Sequence, residues 1–285
     1  MGLLKYDAPL GSARLQPQDL VMTMLGANVR GIHEQVWSGG LVALLGEMGF
    51  STAAARVALT RLVKRDLLAR VRTGRLIHYR ITEHCDQVLA EGDRRIFSLG
   101  TEPSGGPWTI LWHDLPEDRV LERVQLARRL RFLGFGSLQD GLWVSPIDRE
   151  GEVTPILERL DISQHVGMFS GEPTSSLGLD VIVQGGWDLP ALTARYGAFA
   201  AEFEPALTEP SDGDDEAAFK LRIRLIHLYR GFAFMDPGLS DAMLEDADSR
   251  RRAVAAFHEL YSKLAPAAQR HFDSVAGAEQ PERAG

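Results

Sequence analysis

Apolar residues at helical spacing begin with Leu20, Val21, Met24 and Leu25, and Pro17 suits a first helical position ahead of them. A second short helix opens at Ser38 and runs through Leu41, Leu44, Leu45 and Met48. Gly49-Phe50 makes a turn, and Ser51 or Thr52 caps a third helix reaching to about Arg65. In that helix Ala55, Ala58, Leu59, Leu62 and Val63 share one face, while Arg56, Thr60, Arg61 and Lys64 lie on or beside the other. Residues 68–73 and 76–82 then read as two short strands around Gly74, followed by a helix from Glu83 to about Phe97. Helix, helix, turn, helix and hairpin, in that order, predict a winged helix-turn-helix over residues 1–97.

Residues 98–107 (SLGTEPSGGP) have the composition of a linker. After it, WTILWHDLP alternates as a strand ending in Asp114, Leu115 and Pro116. Residues 118–133 are amphipathic, with Val120, Leu121, Val124, Ala127, Leu130 and Leu133 expected to face inward. Residues 134–145 hold two strands around Asp140-Gly141; a short helix at 154–160 and a strand at 165–170 follow. This β-α-β-β-α-β order is that of a ferredoxin-like unit, placed with its linker at 98–183. From about Trp187 the pattern turns helical, at 189–207, 215–234 and 249–275, with an acidic break at 209–216. Asp236-Pro237-Gly238 ends the second of these helices, because proline disfavours helix at the residue before it. The expected class is α+β in three parts, closing with a helical effector or dimerisation domain at 184–275. Residues 1–16 read as a loose leader and 276–285 as a disordered tail.

Charge changes the picture most. Eight Lys or Arg (Arg56, Arg61, Lys64, Arg65, Arg70, Arg72, Arg75, Arg80) stand against one acid, Asp66, between Ser51 and Arg80. The chain as a whole carries −8, so this stripe of positive charge sits in an otherwise acidic protein, as expected of a surface that tracks phosphates. The lone cysteine, Cys85, excludes an intrachain disulfide framework and fits a reducing cytoplasm. No apolar run approaches the ~18–20 residues of a membrane helix.

With these segments in place, the sequence resembles the PaaX family of transcriptional repressors over nearly its whole length. The resemblance rests on Trp37-Ser38-Gly39-Gly40-Leu41, on residues 56–68 (RVALTRLVKRDLL) and on the wing 72–82 (RTGRLIHYRIT). It continues in residues 134–146 (GFGSLQDGLWVSP) and in Leu228-Tyr229-Arg230 followed by Asp236-Pro237-Gly238-Leu239. It implies a homodimeric repressor of an aromatic-acid catabolic operon of the phenylacetic acid type, released from DNA by an aryl-acyl-CoA thioester. Two departures stand out. Asp66 replaces the usual glycine between recognition helix and wing, and residues 240–252 (SDAMLEDADSRRR) replace a stretch containing Pro and Trp, which leaves the effector class open.

The helix from Thr52 would enter the major groove with its N-terminal half at the base edges. Arg56 is then expected at guanine, Ala53, Val57 and the methyl of Thr60 at thymine methyls, and Arg61 and Lys64 at phosphates. Arg72 and Arg75 would take the minor groove or flanking backbone, and His78 and Tyr79 the sugar-phosphate backbone. A solvated basic helix and a solubilising hairpin would give the same residues singly; the cap, the wing and the net charge together favour DNA. For the effector, Trp112, Trp143 and Trp187, with Trp108, could build an aromatic wall, although tryptophans more often fill cores. Arg128 and Arg131, with Arg129, could meet CoA phosphates, and His227 and Arg230 could line a helical pocket or an interface. Asp114 would suit a metal-dependent nuclease of ferredoxin-like fold, but one carboxylate is poor evidence for a Mg²⁺ site. There is no Gly-rich phosphate loop in context, no Cys/His metal spacing and no G-x-S-x-G elbow, so no catalytic residue, metal or cofactor is expected.

The expected function is thus a non-enzymatic, ligand-responsive repressor, homodimeric and cytoplasmic. Its partners would be an inverted-repeat operator in double-stranded DNA and a CoA thioester or aromatic metabolite, with no membrane. The alternatives are the nuclease just described and an assembly module that does not bind DNA.

Overall fold

The protein is described from a computed structural model, which covers residues 15–101, 106–173, 178–208 and 214–277. Most of the expected leader and tail, the centre of the linker and the start of the acidic break lie outside the described residues.

Helix α1 (Pro17–Met24) starts on its proline and runs on into one wide turn, Leu25–Val29. There follow β1 (Val36–Trp37), α2 (Ser38–Glu47), α3 (Thr52–Lys64), β2 (Leu68–Thr73), β3 (Leu76–Ile81) and α4 (Glu83–Ser98). The next segment contains β4 (Trp108–His113), α5 (Val120–Phe132), β5 (Gly136–Gln139), β6 (Leu142–Ser145), α6 (Glu150–Leu160) and β7 (Val166–Gly171). The remainder is helical: α7 (Leu179–Gly186), α8 (Leu189–Phe203), α9 (Pro205–Thr208), α10 (Asp215–Tyr229), α11 (Ala247–Lys263) and α12 (Ala265–Ala276). The class is α+β, with two antiparallel sheets ordered β1-β3-β2 and β5-β6-β4-β7.

The chain forms two compact units, one drawing on Met1–Arg94, Ala201–Tyr229 and Ala255–Gly285, the other on Arg95–Ala200 and Arg230–Val254. The helical segment after residue 184 therefore contributes to both. In the first unit, Leu20, Met24, Leu41, Leu44, Leu59 and Leu62 share a single core with Phe219 and Ile223 of α10 and with Ala268, Phe272 and Ala276 of α12. Fully burying a phenylalanine is worth about 1.5–3 kcal/mol, so Phe219 and Phe272 bind these late helices firmly to α1–α3. The approach is close: a Cβ on Gly40 of α2 would stand 2.4 Å from the Ala276 Cα. Imidazole–carboxylate pairs rim the contact, His271 to Glu47 at 2.8 Å and His33 to Asp273 at 2.7 Å.

In the second unit, α5 and α6 cover the sheet face that carries Leu111 and Trp143, packing Leu126, Leu130, Val153, Ile156 and Leu157 against them. The opposite face carries Trp108 and Val144, covered by Val183 of α7 and by Leu239. Behind these lies a polar network. The buried Asp236 carboxylate accepts from the Tyr196 hydroxyl at 2.6 Å and from the Gly238 N–H at 2.7 Å. Arg250 donates to the Leu239 carbonyl at 2.8 Å and pairs with Asp241. Arg250 therefore anchors the segment at 240–252.

Several expectations need correction. Val120, Leu121 and Val124 of α5 do not face inward; they are 61%, 54% and 55% exposed, while Leu126 and Leu130 are fully buried. The helix has apolar residues around most of its girth, so two inward stripes fit its sequence, and packing against α6 selects the one through Leu126 and Leu130. Helix α6 starts at Glu150, ahead of the expected 154, because the Asp148 carboxylate accepts the Glu150 N–H at 3.1 Å. The helix expected at 249–275 is two helices, since Pro266 lies in the first turn of α12. Helix α7 and the short strand β1 were not anticipated.

Candidate nucleic-acid interface

Helix α3 begins where its sequence says it should. The Ser51 hydroxyl oxygen accepts the Ala54 N–H at 3.2 Å, and Ala55, Ala58, Leu59 and Leu62 turn into the core. This leaves Thr52, Ala53, Arg56, Val57, Thr60, Arg61 and Lys64 exposed together along one side. Val57 is 49% exposed, and the Thr60 hydroxyl donates to the Arg56 carbonyl at 2.8 Å.

The helix ends on Asp66 with φ of 55°, inside the left-handed region. The Asp66 N–H meets the Val63 carbonyl at 3.0 Å and the Leu67 N–H meets Leu62 at 2.9 Å, the double closure of a Schellman motif. Thr82 then joins two helix ends. Its hydroxyl donates to the Asp66 carbonyl at 2.6 Å and accepts the Cys85 N–H at 3.1 Å as the cap of α4. The hairpin is thus held at a set angle to α3. At its tip Gly74 has φ of 62°, and the Arg72 Nε donates to the Gly74 carbonyl at 3.1 Å. Arg72 and Arg75 are both exposed there, with Leu76 and Ile77 exposed beside them.

Among the described residues none of the eight basic side chains between Arg56 and Arg80 enters an ion pair. Arg30, outside that window, is held by Asp86 at 2.7 Å and Asp93 at 2.9 Å. The contrast is chemical: Arg30 is neutralised within the fold, whereas the stripe keeps its charge for a partner.

His78 must be corrected as a backbone contact, and Tyr79 keeps only the part of its surface that lines a cleft with Arg56 and Arg70. They are 4% and 5% exposed, since β1 adds a third strand to the hairpin with Val36 opposite Tyr79 and Trp37 opposite His78. Arg70, in contrast, is exposed on β2 and was not assigned a role from sequence. Strand alternation could have found it, because Arg70 and Arg72 fall on one face two residues apart.

The expected effector residues are brought together only in part. Leu111 pairs with Trp143 and Trp112 with Leu142, so Trp143 faces α5 and α6 while Trp108 and Trp112 face the other way. Trp112 is 48% exposed and leans on Phe169, with ring centres 6.0 Å apart; Trp187 meets Trp108 edge to face at 6.3 Å and donates its Nε1 to Gly134. Arg131 lies 5.4 Å over the Trp143 ring, and Arg128 is exposed on α5. His227 is buried in the first unit and Arg230 half-buried in the second. Strand alternation removes Trp143 from the expected wall and leaves Trp108, Trp112 and Trp187 on the opposite side of the sheet. Asp114 is exposed at the end of β4, and among the described residues no three His, Cys, Asp or Glu side chains gather where they could hold a metal.

Comparison with known proteins matches three family profiles in chain order. Residues 16–85 match "PaaX-like protein", 101–180 "PaaX protein central Cas2-like domain" and 187–274 "PaaX-like protein C-terminal domain". The transcriptional repressor PaaX of Escherichia coli (strain K12) is 27% identical over 256 residues, covering 87% of this chain and 80% of that one. Among solved structures, the uncharacterized protein Rv0674 from Mycobacterium tuberculosis shares the fold, with a TM-score of 0.54 at 22% identity over 91% of this chain and 98% of that one.

Proposed function

This chain belongs to the PaaX family of transcriptional regulators, and we propose that it is a ligand-released repressor whose DNA-binding surface is α3 and the β2–β3 hairpin. The observation that carries this reading is the run of exposed, unpaired cations on those elements in a protein of net charge −8. In this reading residues 15–97 act as a winged helix-turn-helix, with α3 as the recognition helix in the major groove and the hairpin as the wing. The ridge through Ala53 and Val57 presents methyl groups suited to thymine, and Arg61, Lys64, Arg72 and Arg75 supply charge to the phosphates.

Two copies related by a two-fold axis would read an inverted repeat, with half-sites separated by whole turns of ~10–10.5 bp. The effector would be an aryl- or acyl-CoA or a related aromatic metabolite, and the protein would act in the cytoplasm, where the operator is. Release requires only that the effector bind more tightly to the form that does not fit the operator. The packing of α10 and α12 into the α1–α3 core supports such coupling, since a displacement of these helices is felt by the reading head. Among the described residues no carboxylate cluster supports the nuclease alternative, and an assembly module would have little use for unpaired cations.

The test is binding of the purified protein to the promoter region of its own gene, with and without a panel of aryl- and acyl-CoA thioesters and their free acids. Specific binding released by one thioester is expected. Binding that no compound releases would remove the effector from the proposal, and no specific binding would remove the repressor.

A further inference from the structure

Between the start of α2, the side of α3 and the hairpin lies a cleft of about 410 Å³. Its lining includes Ser38 and Gly39 of α2, Arg56 and Thr60 of α3, and Arg70 and Ile77 of the hairpin. We propose that this cleft seats one phosphate of the DNA backbone with its adjoining deoxyribose. Arg56 and Arg70 would then close on that phosphate from two different elements, making Arg56 a positioning contact and not a reader of guanine. The proposal rests on the DNA-binding reading above and assigns a site that reading does not contain.

Three observations support it. First, Arg56 and Arg70 come from separate elements to one cleft, and among the described residues neither has a carboxylate partner. Two guanidinium groups kept together without an acid repel each other unless an anion joins them, and their planar forks match the oxygens of a phosphate. Second, the wall is divided. Val42, Leu59 and Ile77 supply apolar surface beside the cations, which suits a sugar-phosphate unit better than a bare inorganic ion. Third, Arg56 is one turn away from Thr60 on the cleft side of α3, whereas Ala53 and Val57 form the outward ridge, so base edges fall to the ridge and backbone to the cleft. The opening turn of α2 adds a favourable field. Its cap, Trp37, makes no side-chain hydrogen bond there, leaving the first amides of the helix to the cleft.

A cleft of this size also falls within the range of small-molecule sites, and an organic anion would meet the same cations. The experiment therefore has two arms, both on the full-length protein. In the first, fluorescence anisotropy follows binding to the own-promoter fragment and to a scrambled fragment across a salt series, for wild type, Arg56→Ala, Arg70→Ala and the double variant. Each single change is expected to weaken both fragments alike, by roughly tenfold to a hundredfold, and to lower the salt slope by about 1. The double variant should lose less than the product of the two, because both groups serve one phosphate. Arg56→Lys and Arg70→Lys should keep the slope and recover part of the affinity, which a fold defect would not allow. Loss of discrimination between the fragments in Arg56→Ala, with an unchanged slope, would return Arg56 to base reading and overturn the proposal. In the second arm, a thioester that releases wild type from DNA is tried on Arg70→Ala; failure to release a variant that keeps wild-type DNA affinity would assign the cleft to the effector instead. A wild-type protein that binds neither fragment is a different failure, that of the DNA-binding reading itself.

Discussion

Helices α3 and α5 are each 13 residues long and each rich in arginine, yet they do opposite things with their charge. On α3, Arg56, Arg61 and Lys64 stand free of acids on an exposed side, over a buried face of Ala55, Ala58, Leu59 and Leu62. Around α5 the cations are engaged within the fold. Arg119 meets Glu122 at 3.2 Å, Arg123 donates to the Leu115 carbonyl at 2.6 Å, and Arg131 stacks over Trp143. The exposed side of α5 mixes Val120, Leu121 and Val124 with Gln125, Arg128 and Arg131. A count of basic residues would rank α5, with four, above α3, with three. What separates them is where the acids lie: one in the 30-residue window around α3, and several beside α5.

The largest expected effect tests this contrast directly. If a dimer meets 6–10 phosphates through α3 and the hairpin, affinity for DNA should fall by about 10³–10⁵ between 50 and 200 mM salt. Arg128→Ala in α5 should leave that dependence as it was. A flat salt response would erase the distinction between the helices. Next in size, Leu126→Ala in the buried face of α5 should cost about 2–5 kcal/mol in urea unfolding, while Val124→Ser on the exposed face should stay within about 0.5 kcal/mol. Equal costs would show that the outer face of α5 is covered in solution.

Smaller effects sharpen the account of how α3 is held. Thr82→Val removes both the bond to the Asp66 carbonyl and the cap of α4, and should cost about 1–2 kcal/mol by the same measurement. Asp66→Gly relieves a left-handed conformation that disfavours a side chain; it should stabilise by up to about 1 kcal/mol and also tighten DNA binding by removing the one acid in the stripe. Beneath the hairpin, burial pushes the Cys85 thiol up to about 11. The folded value lies above that of the unfolded thiol, ~8.5, so its contribution is complete below that pH and is lost as pH rises toward 11. At neutral pH the expectation is merely a thiol inert to a soluble disulfide reagent until the protein unfolds; ready labelling of the native protein would contradict the burial.

The parts of the molecule legible in the sequence are those whose cause is local. Ser51 before a helical repeat, Gly74 between two alternating runs and Asp140-Gly141 in a hairpin each act over a few residues, and the elements they predict are present. The basic stripe was legible for the same reason, being a run of adjacent charges. The burial of His78 and Tyr79 was missed because it depends on β1, some forty residues earlier in the chain. Trp143 was misgrouped with the other tryptophans because the register of β4 against β6, and not the residue type, decides which face it joins.

By itself, then, the sequence determined most of the helices and strands, though not β1 or α7, and the place of the unpaired charge, since propensity, capping and charge density are properties of short stretches. Only the tertiary structure decided which face of α5 is inside, that α10 and α12 share a core with α1–α3, and that Arg56 and Arg70 meet in one cleft. The reason is that burial is a property of pairs of surfaces: an apolar face is indifferent to its partner until packing brings a complementary one against it.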